Sequence, residues 1–283
     1  MKAALRSGRR ALLDRVDDIR YLRWRWTAPR GLRLDRPIFI VGAARSGTSM
    51  SVRILGRHPD LANWSEAGRF YDPRHYDDLE ADHQWGAERA TAAEVERLHS
   101  RFEFERQSRG KPRFINKHPR SSVRLDYLRA IFPDAYFLHV IRDGRAVARS
   151  MVERLARYPR RPQSVLQQFV KPPGWRALQR ENQYEEAILQ WRAVVRHVRS
   201  HREILAGRYF EYRYEDFCDQ PKRILSQVLV WAELDSSDEV VDELVSAPLQ
   251  SRNYKFAETL SPQDIAFMNR SAGDLLAELG YSV

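Results

Sequence analysis

Two groups of residues in this 283-residue chain have the types and spacing to grip phosphate-like anions. The first is Gly42-Ala43-Ala44-Arg45-Ser46-Gly47-Thr48-Ser49, with the Gly-x-x-x-x-Gly spacing of a phosphate-binding loop. Glycines let the backbone wrap an anion closely, and the N–H groups of a following helix N-terminus then face it. The position after the second glycine, where a nucleotide hydrolase carries lysine, is Thr48, and Arg45 supplies the cation from inside the loop. No carboxylate ends a following strand to organise Mg²⁺, which weighs against a metal-dependent kinase or NTPase. The second group is Arg142 and, eight positions later, Ser150. An arginine fork with a hydroxyl about two helical turns on suits a second phosphate. An incidental glycine-rich turn and an Arg142 paired to a nearby carboxylate remain open as the alternatives.

These groups need elements to hold them. Ile38-Phe39-Ile40-Val41 is a short β-branched run between Pro37 and Gly42, which reads as a buried strand, and 49–57 reads as a helix ended near Pro59. Strand, tight loop, helix is the opening of an α/β fold. Further strands are expected at 113–117, 135–141 and 209–214, with helices at 92–104, 123–132, 146–155, 182–205, 224–231 and from Ser261-Pro262 onward. Asp143 stands where a helix N-cap belongs, so the strand at 135–141 delivers Arg142 at its carboxyl end, where open α/β sheets place ligands. Ile188, Trp191, Val194, Val195 and Val198 recur at helical spacing and read as core. His58, before Pro59, and His139, inside a buried strand, read as structural.

Composition narrows the class. With 43% hydrophobic and 30% charged residues, the chain is globular rather than disordered. The single cysteine, Cys218, excludes an intramolecular disulfide framework and a cysteine-rich zinc site. No stretch approaches the ~20 apolar residues of a membrane helix, and no signal-type apolar core opens the chain, so the expected compartment is the cytoplasm. Of the net charge of +10, residues 1–36 carry +7, from eleven basic and four acidic side chains. The basic character therefore belongs to an N-terminal helix or arm, helix-prone around 11–19 and then rich in Arg and Trp. Nucleic-acid binding by the whole domain is not expected. Such a segment is either a solvated face packed on the domain or a peripheral contact with the inner face of a membrane. The rest, 37–283, is one domain, in which 69–112 and 156–178 read as insertions or lids shaping an acceptor site.

With these segments in place, the chain resembles the PAPS-dependent sulfotransferases, which use 3′-phosphoadenosine 5′-phosphosulfate. RPIFIVGAARSGTS resembles their 5′-phosphosulfate loop. FINKHPR and LDYLRAIFPDAYFLHVIRDGRAVARS resemble their central segment and 3′-phosphate motif, YRYEDFCDQP their Tyr-Glu-Asp segment, and KFAETLSPQDI their C-terminal basic stretch. The likeness runs from about 37 to 265 and is closer to Golgi-type and bacterial carbohydrate and tyrosyl-protein sulfotransferases than to cytosolic phenol and steroid enzymes.

The resemblance implies a three-layer α/β sandwich with a central parallel sheet, similar to phosphate-loop nucleotide hydrolases. It implies that Arg45, Ser46, Gly47, Thr48 and Ser49 hold the 5′-phosphosulfate, Arg142 and Ser150 the 3′-phosphate, and that Tyr214 and Lys255 line the nucleotide. Arg45 and Lys117 would place positive charge at the sulfuryl group and leaving phosphate, and no metal is required. Glu66 stands where related enzymes carry a catalytic glutamate and is the candidate general base. His118 is its rival, one position short of the cytosolic relatives' histidine. The implied reaction is in-line sulfuryl transfer to a hydroxyl or amine of a carbohydrate, glycolipid or other metabolite. A phosphate-loop kinase or NTPase and a catalytically silent nucleotide-binding protein are the competing readings.

Overall fold

Five parallel strands order as β2-β3-β1-β4-β5: β1 (Ile38–Val41), β2 (Leu61–Asn63), β3 (Arg113–Lys117), β4 (Tyr136–Ile141) and β5 (Tyr209–Arg213). The computed structural model describes residues 17–283 apart from Ala67 and Arg252, and the backbone but not the side chain of Arg69. The expected helix around 11–19 therefore lies largely outside the described residues, of which 17–27 are helical (α1). The helices that follow are α2 (Thr48–Leu55), α3 (Gly68–Tyr71), α4 (Ala92–Ser108), α5 (Leu125–Ile131), α6 (Gly144–Ala156), α7 (Val165–Gln168) and α8 (Gln183–Arg199). The chain closes with α9 (Tyr214–Asp219), α10 (Pro221–Trp231), α11 (Asp238–Leu244), α12 (Lys255–Thr259) and α13 (Pro262–Glu278). This is the three-layer α/β sandwich expected.

Apolar residues on both sides of each central strand make two cores. Phe39, Phe114 and Phe137 point to one face, where α4, α5, α6, α8 and α13 pack; Ile38, Ile40, Ile115 and Leu138 point to the other, under α2, α10 and α11. A strand's period of two sends neighbours to opposite faces, and helices on both faces are what keep a parallel sheet dry. The 182–205 helix is shorter than expected: Asn182 caps it through the Tyr184 N–H at 2.8 Å, and turns follow Arg199. Its apolar stripe is core, with Ile188, Trp191, Val194, Val195 and Val198 fully buried.

The expected lid at 69–112 has two halves. Its second half, α4, sends Leu98 and Phe102 into the core, and Phe102 stacks on Phe114 and Phe132 with ring centroids 4.8 and 5.6 Å apart. The polar side of α4 hid this in the sequence. Its first half, 69–91, also sends Tyr71 and Trp85 into the core, and it clasps the other expected lid. Trp175 donates its indole N–H to Asp82 at 2.7 Å, and the Lys171 ammonium donates to the Ala81 carbonyl at 2.9 Å. A buried ion triad fastens this half below, with Asp72 lying 3.6 Å from both Arg120 and Arg124.

Candidate active site

The carboxyl ends of all five strands converge on one edge of the sheet. β1 runs into the glycine loop, β3 ends at Lys117, β4 leads to Arg142, β5 to Tyr214, and β2 reaches Glu66 three residues on. β1 lies between β3 and β4, so the chain reverses its direction of sheet growth beside the loop. That switch point is where open α/β sheets leave a crevice.

The loop is built for close approach. Gly42 lies at φ 144°, and a Cβ there would sit 2.4 Å from the Val140 carbonyl oxygen. Gly47 lies at φ 103°, with the Tyr214 ring 2.5 Å from where a Cβ would be. Arg45 takes the left-handed conformation at φ 70°, which costs a non-glycine residue of order 1–3 kcal/mol. Ser122 fixes the loop from β3's side: its hydroxyl accepts from the Gly42 N–H and donates to the Gly42 carbonyl, both at 2.9 Å. Gly47 caps α2 with no side-chain hydrogen bond, which leaves first-turn N–H groups for a ligand. The Ser46 hydroxyl is fully buried in the loop and has no partner. A buried hydroxyl without a partner fits a loop whose remaining hydrogen bond goes to an anion.

Arg45 and Ser150, 105 positions apart, meet here: the guanidinium Nε donates to the Ser150 hydroxyl at 3.1 Å. Arg142 donates to the Arg45 carbonyl at 3.2 Å and to Asn253 Oδ1 at 2.7 Å, and it stacks 4.6 Å above the Tyr214 ring. Trp191 of the α8 stripe reaches the Arg142 carbonyl with its indole N–H at 3.1 Å. Burial, then the charges of Arg154, Arg142 and Arg157, press the Arg45 guanidinium below its usual range. Several cations held together in a partly dry crevice repel one another until an anion enters. The donor set, the open first turn and the Ser46 hydroxyl thus fit a phosphosulfate beside a second phosphate.

Glu66 and Lys117 form the other half. The Lys117 ammonium, almost wholly buried, pairs with the Glu66 carboxylate, which is 58% exposed. The Glu66 N–H also donates to the Lys117 carbonyl at 2.8 Å, so β3 holds the glutamate's backbone as well as its side chain. Glu66 has φ 59°, a second left-handed non-glycine residue in this crevice. His118 lies deeper. It is 3% exposed, stacks against Tyr71 with centroids 5.4 Å apart, and burial holds it well below the usual histidine range. Its Nε2 faces Gly68, at the start of α3.

Two expected nucleotide residues sit differently. Tyr214 is 8% exposed, wedged between Gly47 and Arg142, and burial pushes its phenol up to about 12. It supports the loop and Arg142 from beneath. Lys255 opens α12, which leans on α6 through Phe256 under Arg145; no side-chain contact joins Lys255 to the arginine group among the described residues. His58 and His139 are structural, as expected: His58 accepts from the Asp60 N–H at 3.1 Å, and His139 lies 2.7 Å from the Tyr209 hydroxyl.

Sequence reasoning missed Ser122, Asn253 and Glu215. Glu215 accepts from the Asp143 N–H at 3.1 Å, from Asn253, and from the Tyr281 hydroxyl at 2.9 Å, which ties Arg142's partner to the end of the chain. The Tyr-Glu-Asp segment was a signal for Glu215; nothing local marks Asn253.

A model of the sulfotransferase family matches residues 37–238. Human protein-tyrosine sulfotransferase 1 is 33% identical over 134 residues, which span 42% of this chain and 35% of that protein. Among solved structures, the Mycobacterium avium sulfotransferase STF9 superposes with a TM-score of 0.61 at 16% identity, covering 94% of this chain and 81% of the other. Mouse sulfotransferase SULT7A1, solved in complex with PAP, superposes with a TM-score of 0.51 at 15% identity, covering 88% and 87%. These two likenesses speak for the fold, and the family match reaches from the glycine loop past the Tyr-Glu-Asp segment. It sets aside the kinase and NTPase readings: the chain belongs to the sulfotransferase family.

Proposed function

We propose that this crevice transfers a sulfuryl group from PAPS to a hydroxyl or amine of an acceptor, with Glu66 as general base. The observation that carries the reading is the pairing of Glu66 with Lys117 at the mouth of the crevice whose floor is the Arg45 loop. PAPS supplies an SO₃ group already bonded to a good leaving phosphate. In the step, the S–O bond to that phosphate breaks as a bond from sulfur to the acceptor atom forms, and the acceptor's proton goes to a Glu66 oxygen. Arg45 and the first-turn N–H groups of α2 hold the 5′ end of the donor. Arg142 and Ser150 take the 3′-phosphate, with Asn253 and Tyr214 fixing the Arg142 fork from two sides. Lys117 stands where charge grows on the leaving phosphate, and preorganised charge of this kind is usually the largest part of such catalysis. No residue here is assigned to a metal.

The acceptor enters between the Glu66 side and the clasped cover formed by 69–91 and 165–176. We favour a carbohydrate, glycolipid or other hydroxyl- or amine-bearing metabolite. The human relative's name adds a protein tyrosine hydroxyl as a second acceptor class. Radiolabelled PAPS offered with members of each class tests the choice, with transfer to one class expected. Glu66→Gln should lower kcat by roughly 10²–10⁴-fold while adenosine 3′,5′-bisphosphate still binds as it does to the parent. Full turnover in that variant would remove the base assignment, and turnover lost only in His118→Gln would move it to His118.

A further inference from the structure

Helix α1 is apolar on two opposite sides, and the domain covers only one of them. Toward the domain, Tyr21 and Trp24 each meet Phe104 of α4 with ring centroids 5.6 Å apart. Trp24 donates its indole N–H to Gln107 at 3.1 Å, and Asp18 accepts from Arg101 at 3.0 Å. Away from the domain, Ile19, Leu22 and Trp26 are 54, 57 and 90% exposed. Their spacing of i, i+3 and i+7 puts them in one stripe along the helix. Arg23 within that stretch, and Arg30 and Arg33 just beyond it, are exposed and have no carboxylate partner among the described residues. By sequence, residues 1–16 add Lys2, Arg6, Arg9, Arg10 and Arg15 against Asp14 alone.

We propose that this outward face of α1 docks the enzyme on an anionic lipid bilayer. An isoleucine, a leucine and a tryptophan in one stripe, flanked by arginines, form the pattern of a helix lying in a membrane interface. The apolar stripe enters the headgroup boundary while the cations meet anionic lipid. Charge decides against a second copy of this chain as the occupant, because pairing two such faces would press two segments of +7 together. Nucleic acid would satisfy the arginines and leave the aliphatic pair without an apolar environment. The inward contacts of Tyr21 and Trp24 hold the helix in place without using the outward stripe, so the face is presented in the folded enzyme. The proposal does not depend on which residue is the base.

Co-sedimentation of the full chain with vesicles tests it. Binding is expected to phosphatidylcholine vesicles carrying about 30% phosphatidylglycerol, to weaken when salt is raised to ~0.5 M, and to be slight with phosphatidylcholine alone. The variant Ile19→Ser/Leu22→Ser/Trp26→Ser should lower partitioning at least about tenfold, with an unchanged melting temperature because all three side chains are exposed. Failure of the parent to sediment with the anionic vesicles at low salt would overturn the proposal. So would equal sedimentation of parent and triple variant, which would assign the binding to charge elsewhere. A vesicle-free dimer, seen by light scattering and abolished by the triple variant, would give the face to a second copy instead.

Discussion

Arg142 and Ser150 come from one short sequence motif, and different partners hold them at the proposed 3′-phosphate end of the crevice. Arg142 is braced by Asn253, Tyr214 and the Arg45 carbonyl, whereas Ser150 spends its hydroxyl on Arg45. Arg142→Ala removes a charged donor aimed at the 3′-phosphate. A hydrogen bond to a charged group is worth about 1.5–3 kcal/mol, so affinity for adenosine 3′,5′-bisphosphate should fall roughly 10- to 100-fold by calorimetry. Affinity for an adenine nucleotide with no 3′-phosphate should hardly change. Equal losses for both would show that Arg142 shapes the crevice without reading the phosphate. Asn253→Ala acts one step removed, by freeing the Arg142 fork, and should give a smaller loss of the same selectivity. Glu66 and Arg45 are alike in one respect: both are expected site residues held at positive φ. Outliers of this kind persist where surrounding structure imposes them, here the Lys117 carbonyl on Glu66 and the Ser122-clamped loop around Arg45.

Among the elements, the glycine loop and α4 make the sharpest expectations. Gly47→Ala would drive a Cβ into the Tyr214 ring at φ 103°, so it should destabilise the fold by about 1–3 kcal/mol in denaturant and weaken bisphosphate binding as well. The change Gly174→Ala is the control, since it also lies at positive φ but meets open space. Phe102→Ala should cost about 3–5 kcal/mol, because α4 is part of the core; a loss below about 1 kcal/mol would return α4 to the cover. Much of this scaffold was legible in the sequence. The strands β1, β4 and β5 are dense apolar or aromatic runs, β3 is a short run between Pro112 and Pro119, and Asp143 is the cap expected, accepting from the Arg145 N–H at 2.9 Å. The strand Leu61–Asn63 was not, because three residues at a sheet edge leave no periodicity to read. The same gap explains why Glu66 came from resemblance alone: the strand that carries it was invisible. Candidate site residues lying in their own motifs, such as Arg45, Lys117 and Arg142, could be named from the sequence. Those that arrive from distant turns, such as Asn253 and Ser122, are fixed only by the tertiary fold.

For the molecule as a whole, buried histidines set the response to acid. His83, His99, His118 and His139 are each at most 3% exposed, and burial lowers all four, His83 to about 2. They are neutral in the fold, while in the unfolded chain they bind a proton near pH 6.5. The stability this reflects is present above that pH and is lost as pH falls toward the folded-state values. Glu211, held down to about 2 chiefly by hydrogen bonds and charge against the opposing effect of burial, adds a further loss below the ordinary glutamate range. The melting temperature should therefore drop steadily from pH 7 to pH 5, and a flat profile would mean that these side chains protonate without unfolding. Among the described residues no helix is long and apolar enough to cross a membrane.

On the proposed function, the Arg45 loop and the Arg142–Ser150 pair together form one site for a nucleotide phosphorylated at both 3′ and 5′ positions. Calorimetric titration of the full chain with adenosine 3′,5′-bisphosphate, and in parallel with ADP, both without added metal, tests it most directly. Saturable one-to-one binding of the bisphosphate is expected, with at least about tenfold weaker binding of ADP, since only the former engages Arg142. Equal affinity for the two nucleotides, or no binding of the bisphosphate, would contradict it.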